Sequence, residues 1–240
     1  MARGEQLVAL RGVRKDYPAL RPLRVEHLEL RDAETMALVG FDRAASEVLV
    51  NLITGATLPE GGEVELFGAP THAIVDSDAW FRLLDRIGIL SERVVLLEEL
   101  TVAQNLAIPL TLAVEAMPAD TRARVDRLGA EIGLTPDVMR QPMAAADRRT
   151  RARVRLGKAL ALDPRVLLAE HPNAGLDPAD VLHFAADLSD IAAQRRLAML
   201  IVTADAAFGA AACRQLLRFQ PASGTFARHS GWRGWLSRRA

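Results

Sequence analysis

The sequence predicts an α/β protein: a parallel sheet flanked by helices, with a β-rich start and a helical insertion. Three observations carry this reading. The last third alternates a buried-type strand (Val166 to Glu170), a helix (Pro178 to Gln194) and a second buried-type strand (Ala198 to Thr203), the spacing of βαβ units. The first third is short strands and turns. The middle, from about Leu100 to Leu162, is helical in character.

The elements follow in order. Leu7 to Val13, Leu23 to Leu30 and Met36 to Gly40 are strands. Ala44 to Thr54 is a helix with Val48, Leu49, Leu52 and Ile53 on one face, and Gly55 stops it. Pro59-Glu60-Gly61-Gly62 is a turn before a strand at Glu63 to Phe67. Thr101 to Leu112, Pro118 to Gly133 and Thr150 to Leu162 are helices; the second carries alternating Arg, Asp and Glu on a solvated face, and Asp163-Pro164 ends the third. The last strand is Arg214 to Phe219, followed by a Trp/Arg-rich tail from Ala227 to Ala240.

Composition bounds the function. Of 240 residues, half are apolar and a quarter charged, the profile of a globular chain with a sizeable core. Thirty basic residues balance thirty acidic ones, which argues against a general nucleic-acid binder. The single cysteine, Cys213, excludes an internal disulfide, fits a reducing cytosolic setting, and reads as a small buried hydrophobe at the start of an apolar strand. The five histidines include His27, His72, His183 and His229, which stand singly without ligand spacing. No apolar run is long enough to cross a membrane, and Met1 to Gln6 does not begin a secretory signal. Lys15 and Lys158 are the only lysines, so any function that needs a lysine must use one of them.

Three segments then arrive in order: Ala37 to Gly55 (ALVGFDRAASEVLVNLITG), Glu99 to Leu110 (ELTVAQNLAIPL) and Val154 to Pro178 (VRLGKALALDPRVLLAEHPNAGLDP). Together they resemble the nucleotide-binding subunit of ATP-binding-cassette (ABC) transporters, from about Leu7 to Phe219. The resemblance implies a P-loop NTPase core of ABC ATPase type with an antiparallel β-subdomain and a helical subdomain at about 100–162. The ABC ATPase-like domain would cover 1–225 and the basic tail 226–240. It also implies a dimer, with itself or another ABC subunit, docked on a transmembrane permease at the inner face of the cell membrane, with ATP and Mg²⁺ as ligands.

Position by position, the resemblance meets altered chemistry. A phosphate loop of the form G-x-x-x-x-G-K-[ST] cradles phosphates with backbone N–H groups, reaches them with Lys and holds Mg²⁺ with the hydroxyl. Here the frame is Gly40 to Glu47: Ala45 replaces the second Gly, Ser46 the Lys, Glu47 the hydroxyl residue, and Arg43 a further family glycine. Arg43 fits poorly if the loop needs positive φ there. The helix start still favours an anion, and Glu47 is itself a candidate to fill that spot. Glu47 is equally a candidate ligand for Mg²⁺, as is Glu170, which replaces the metal-holding Asp. Glu92 replaces the glutamine that touches Mg²⁺ and water, His171 the carboxylate general base, and Ala204 the switch histidine. Arg148 and Arg149 fall within Ala146 to Thr150, where the family signature reads Leu-Ser-Gly-Gly-Gln. Tyr17 matches the aromatic that stacks on adenine, Ala174 to Asp177 the loop that crosses the dimer interface, and Glu99 to Val102 a stretch near where such subunits dock on permeases.

Plainer roles stand beside these. Tyr17 fits an ordinary half-buried strand end. Arg148 and Arg149 fit a solvated helix start as well as a grip on a partner's phosphate. The tail, with Trp232, Trp235 and four arginines from Arg228 on, suits an anionic membrane surface or a docked partner. Strand residues, turn glycines and helix faces are intact while nearly every catalytic position is changed. The main expectation is therefore a folded, hydrolysis-deficient subunit with a structural or regulatory role and weak or absent ATP binding. The alternative is a working ATPase in which Glu47 and Glu170 hold Mg²⁺ and His171 is the base.

Overall fold

The computed structural model describes residues 4–74 and 76–228. Strands β1 (Gln6–Lys15), β2 (Leu23–Arg31) and β3 (Thr35–Val39) lead into helix α1 (Arg43–Ile53), then β4 (Gly61–Leu66) and β5 (Ala69–Pro70). Helix α2 (Ser77–Leu84) precedes β6 (Ile87–Ser91). Four helices follow: α3 (Val102–Ala107), α4 (Ala119–Glu131), α5 (Pro136–Arg140) and α6 (Arg148–Leu160). The chain closes with β7 (Val166–Glu170), α7 (Pro178–Arg195), β8 (Ala198–Val202), α8 (Ala206–Ala212), β9 (Gln215–Gln220) and β10 (Thr225–Arg228).

Two sheets result. The smaller is antiparallel, in the order β2-β1-β4-β5. The larger runs β10-β9-β3-β8-β7-β6 and is parallel except for β10, which pairs antiparallel with β9. The antiparallel sheet, the mainly parallel sheet and the run of helices between β6 and β7 match the layout expected from the sequence. Both β7 and β8 are buried along their whole length, which is why they read as continuous apolar runs rather than alternating ones.

The strand period of two divides the core in two. Leu38, Leu168, Leu200 and Val202 face α1 and the smaller sheet. Ala37, Leu167, Ala169 and Ile201 face the layer of α3, α6, α7 and α8. Glycine permits the closest approach between these layers: a Cβ on Gly88 of β6 would stand 2.3 Å from the carbonyl oxygen of Ala159 in α6. The parallel strands β3, β6, β7 and β8 deliver Gly40, Glu92, His171 and Thr203 at their carboxyl ends, the edge where open α/β sheets build their sites.

Several expectations need correction. The helix read from Thr101 to Leu112 ends at Ala107 and gives way to a turn, because Pro109 has no N–H to continue the ladder. Arg214 to Phe219 is not the last strand. A turn through Ser223 and Gly224 brings back β10, whose Phe226 lies opposite Phe219 and packs on Phe41. That strand places Phe226 to Arg228, read as the start of the tail, in the large sheet. The rest of the tail, with His229, Trp232 and Trp235, lies outside the described residues. Cys213 caps the end of α8 before β9 rather than opening the strand; it packs against the core, and burial pushes its thiol up to about 12. Helices α2 and α8 and strand β6 had no sequence reading. Among the described residues, no helix is long and apolar enough to cross a membrane.

Candidate functional site

The loop between β3 and α1 is shaped by its own side chains. Gly40 holds φ +99°. Phe41 turns inward and stacks on Phe219 with ring centroids 4.2 Å apart. Asp42 then caps α1, its Oδ1 accepting the Ala45 N–H at 2.7 Å. A helix N-terminus offers free N–H donors and a partial positive charge to an anion. Here the Asp42 carboxylate occupies that position, not Glu47. Arg43 is the first residue of α1 and takes no positive φ, so the feared misfit does not arise: the helix begins one residue earlier than read, and the position is helical.

Ala45 and Ser46 are buried. Ser46 Oγ donates to the Asp42 carbonyl at 2.7 Å, which leaves the oxygen to accept from His171 Nε2 at 3.0 Å. His171 itself sits at φ +44°, in the left-handed region. Neither lysine donates to this loop: Lys15 pairs with Glu60 at 2.8 Å and Lys158 donates to the Val95 carbonyl at 2.9 Å.

The two carboxylates expected to hold Mg²⁺ do share a cation, but it is a side chain. Arg93, just past β6, reaches Glu170 through Nη2 at 2.6 Å and Nε at 3.1 Å, and Glu47 through Nη1 at 2.7 Å. Ser91 Oγ donates to the same Glu170 oxygen at 3.1 Å. Glu170 is buried, while Glu47 and Arg93 are each close to half exposed. A divalent ion between these carboxylates would have to displace a fixed positive charge that already satisfies both. No cluster of three or more acidic, His or Cys side chains suited to a metal ion occurs among the described residues.

The remaining positions gather around this centre. Glu92 pairs with Arg43 at 3.3 Å. Ala204, with Phe41, His171 and Thr203, lines an open cleft of about 380 Å³ beside the loop. Its floor holds a polar chain unread in the sequence: Thr203 Oγ1 donates to Asn173 Oδ1 at 3.0 Å and accepts the Asp205 N–H at 3.1 Å. Tyr17 is half-buried against the core under the small sheet. Burial pushes its phenol up, and the Asp42 carboxylate adds to the shift, so the ring stands within electrostatic reach of the loop. Arg148 and Arg149 turn back onto their own chain, to Asp177 at 3.5 Å and Asp180 at 3.3 Å near the start of α7.

Burial holds the His171 imidazole below the usual histidine range; Glu170, Glu92 and Asp42 oppose the shift and Arg43 reinforces it. The unfolded chain, with histidine near the ordinary value of about 6.5, therefore binds more protons than the folded one in the window below it. The stability tied to neutral His171 is complete above that value and is lost as pH falls through the lower folded value. Thermal unfolding followed from about pH 7.5 to 5.5 should show a falling midpoint, with a shallower fall in His171→Asn. Identical slopes in the two proteins would refute this assignment.

A family model described as ABC transporter matches residues 23–174. The methionine import ATP-binding protein MetN 2 of Pseudomonas aeruginosa (strain UCBPP-PA14) is 30% identical over 189 residues, 79% of this chain and 55% of that protein. The methionine import ATP-binding protein MetN 1 of Pseudomonas fluorescens (strain Pf-5) is 31% identical over 191 residues, with the same coverage of 79% and 55%. The chain thus spans about half the length of the curated relatives it matches. In fold, it is similar to cbiO1 from Clostridium perfringens, part of the ABC transporter complex cbiONQ, with a TM-score of 0.78, 19% identity, and 93% and 87% of the two chains covered. A bacterial ABC transporter cassette solved as a dimer gives a TM-score of 0.76 at 20% identity, over 92% of this chain and 97% of that one.

Proposed function

The chain belongs to the ABC transporter family, and from that premise we propose that it is a cassette subunit of a membrane import complex whose own site neither holds Mg²⁺-ATP tightly nor hydrolyses it. One observation carries the second half of this reading: the charges of the site are satisfied inside the chain. The Asp42 carboxylate stands at the helix start where a phosphate would bind, and the Arg93 guanidinium stands between the two carboxylates that would hold a cation. Mg²⁺ does not fit this arrangement. His171, at the position of the general base, is committed to Ser46 and held to its neutral form by burial.

The wider role rests on the relatives. Their names as import ATP-binding proteins support a place in import. The dimeric neighbour supports pairing with a second cassette, either a copy of this chain or an active ABC subunit. A permease at the cytoplasmic membrane face is the partner such a pair would serve, with the cassette extending through β10 to Arg228. In this role the subunit is structural or regulatory, and the active subunit supplies turnover.

Phosphate release from ATP and Mg²⁺ by the purified chain tests the reading. The rate should stay at the protein-free background, with no difference in His171→Ala. Turnover above background that disappears in His171→Ala would replace it with the working-ATPase alternative.

A further inference from the structure

Helix α6 aligns Arg148, Arg151 and Arg155, three and seven residues apart, along one wall of a cavity of about 280 Å³. Leu90, Ser91 and Glu92 at the end of β6 and the Pro172 to Gly175 loop form the rest of the lining. The three guanidiniums are not equally engaged. Arg151 is saturated: it forks onto Glu98 at 2.6 and 2.7 Å and donates to the Ala146 and Met143 carbonyls. Arg148 has one long contact, to Asp177 at 3.5 Å. Arg155 has least of all. Its Nε meets the Val94 carbonyl at 3.4 Å, and among the described residues its two terminal nitrogens have no hydrogen-bond partner and no ion pair.

Arg155 is also half-buried, and desolvation works against its charge. A guanidinium stays protonated in any protein, so the charge cannot be shed to relieve the cost. Glu92 and Glu98 ease that cost electrostatically, but among the described residues neither forms an ion pair with Arg155, so its terminal donors are open to an anion. The one carboxylate in the lining, Glu92, is already paired with Arg43. Arg155 lines a space large enough for a small anion with some of its water. Guanidinium forks match tetrahedral oxyanions through two parallel N–H donors.

We propose that this cavity between the β6 end and α6 binds a small tetrahedral oxyanion of the phosphate class, with Arg155 as its principal ligand and Arg148 closing on it from the rim. The site adjoins the loop at Gly40 to Glu47 through the Glu92–Arg43 pair, and its occupant would lock α6 to the Pro172 to Gly175 loop of the same chain.

Equilibrium dialysis with radiolabelled inorganic phosphate, in buffer matched for ionic strength with chloride, tests this on the full chain. The expected result is saturable uptake approaching one phosphate per chain. Loss of one charge-assisted hydrogen-bonding group should weaken uptake about tenfold in Arg155→Gln and somewhat less in Arg148→Ala. Arg140→Ala, a surface control paired among the described residues with Asp137, should bind as the wild type does. Arg148 is largely exposed, so its variant remains informative if Arg155→Gln fails to fold. ATP without Mg²⁺ in competition separates the sources: displacement assigns the site to a nucleotide's phosphoryl group, no displacement to the free ion, and both support it. No saturable uptake by the wild type, or undiminished uptake in Arg148→Ala and in folded Arg155→Gln, overturns the proposal.

Discussion

Labelled ATP titrated into the purified chain with Mg²⁺ is expected to show no saturation up to millimolar concentration, and Tyr17→Ala should leave the trace unchanged. Three charge effects add in the same direction. Ser46 stands where a lysine would reach the phosphates. Opposite unit charges near 4 Å attract by roughly 4 kcal/mol at an effective dielectric near 20, an upper guide that corresponds to about a thousandfold in affinity. The two lysines cannot compensate, since both are bonded elsewhere. The Asp42 carboxylate must also leave the α1 N-terminus before a phosphate can take its place, at the cost of a helix cap, about 1 kcal/mol. Mg²⁺, finally, must compete with Arg93 for Glu47 and Glu170. Mg²⁺-dependent saturation at micromolar ATP, lost in Tyr17→Ala, would reverse the reading and make Tyr17 and Gly40 parts of a working site.

Replacement of Arg93 should destabilise the fold more than any other change at the site. Arg93→Met leaves Glu170, 7% exposed, as a buried carboxylate to which, among the described residues, Ser91 Oγ alone still donates. Removal of one member of a buried ion pair costs about 3–5 kcal/mol. Arg93 itself is nearly half exposed, so water can reach the vacated place and the lower end applies, about 3 kcal/mol. The double variant Arg93→Met/Glu170→Leu removes the orphaned charge as well and should recover most of that loss, because an apolar pair of similar volume needs no counterion. Urea unfolding of the wild type, both single variants and the double variant gives the coupling directly. A double variant no more stable than Arg93→Met would show that the guanidinium is not the counterion of Glu170.

The fold was legible because its signals are local. Strands buried on both faces leave unbroken apolar runs, as at Val166 to Glu170, and stop signals mark helix ends, as Asp163-Pro164 does for α6. Elements with weaker local signals escaped. The short alanine-rich α8 carries no amphipathic stripe, and β10 is recognisable as a strand only once Phe226 meets Phe41 and Phe219. Helix α3 was read too long because the apolar spacing runs on past Pro109 while the backbone ladder cannot.

The order and spacing of three segments determined the family and placed Gly40, Ser46, Glu47, Glu92, Glu170 and His171 at one edge of a sheet. With Ser46 at the lysine position of the frame and the two lysines at Lys15 and Lys158, the phosphate loop has no lysine of its own. What fills the vacated roles was not legible. Arg93 is one of 28 arginines and carries no motif, and its partners Glu47 and Glu170 lie 46 and 77 residues away along the chain. Asp42 lies within the phosphate-loop frame with no role of its own in the sequence, and Arg155 belongs to no motif. Periodicity records only neighbours in sequence, whereas a counterion is chosen by distance and burial in space. The backbone and its family therefore belong to the sequence, and the charge balance of the site to the tertiary structure.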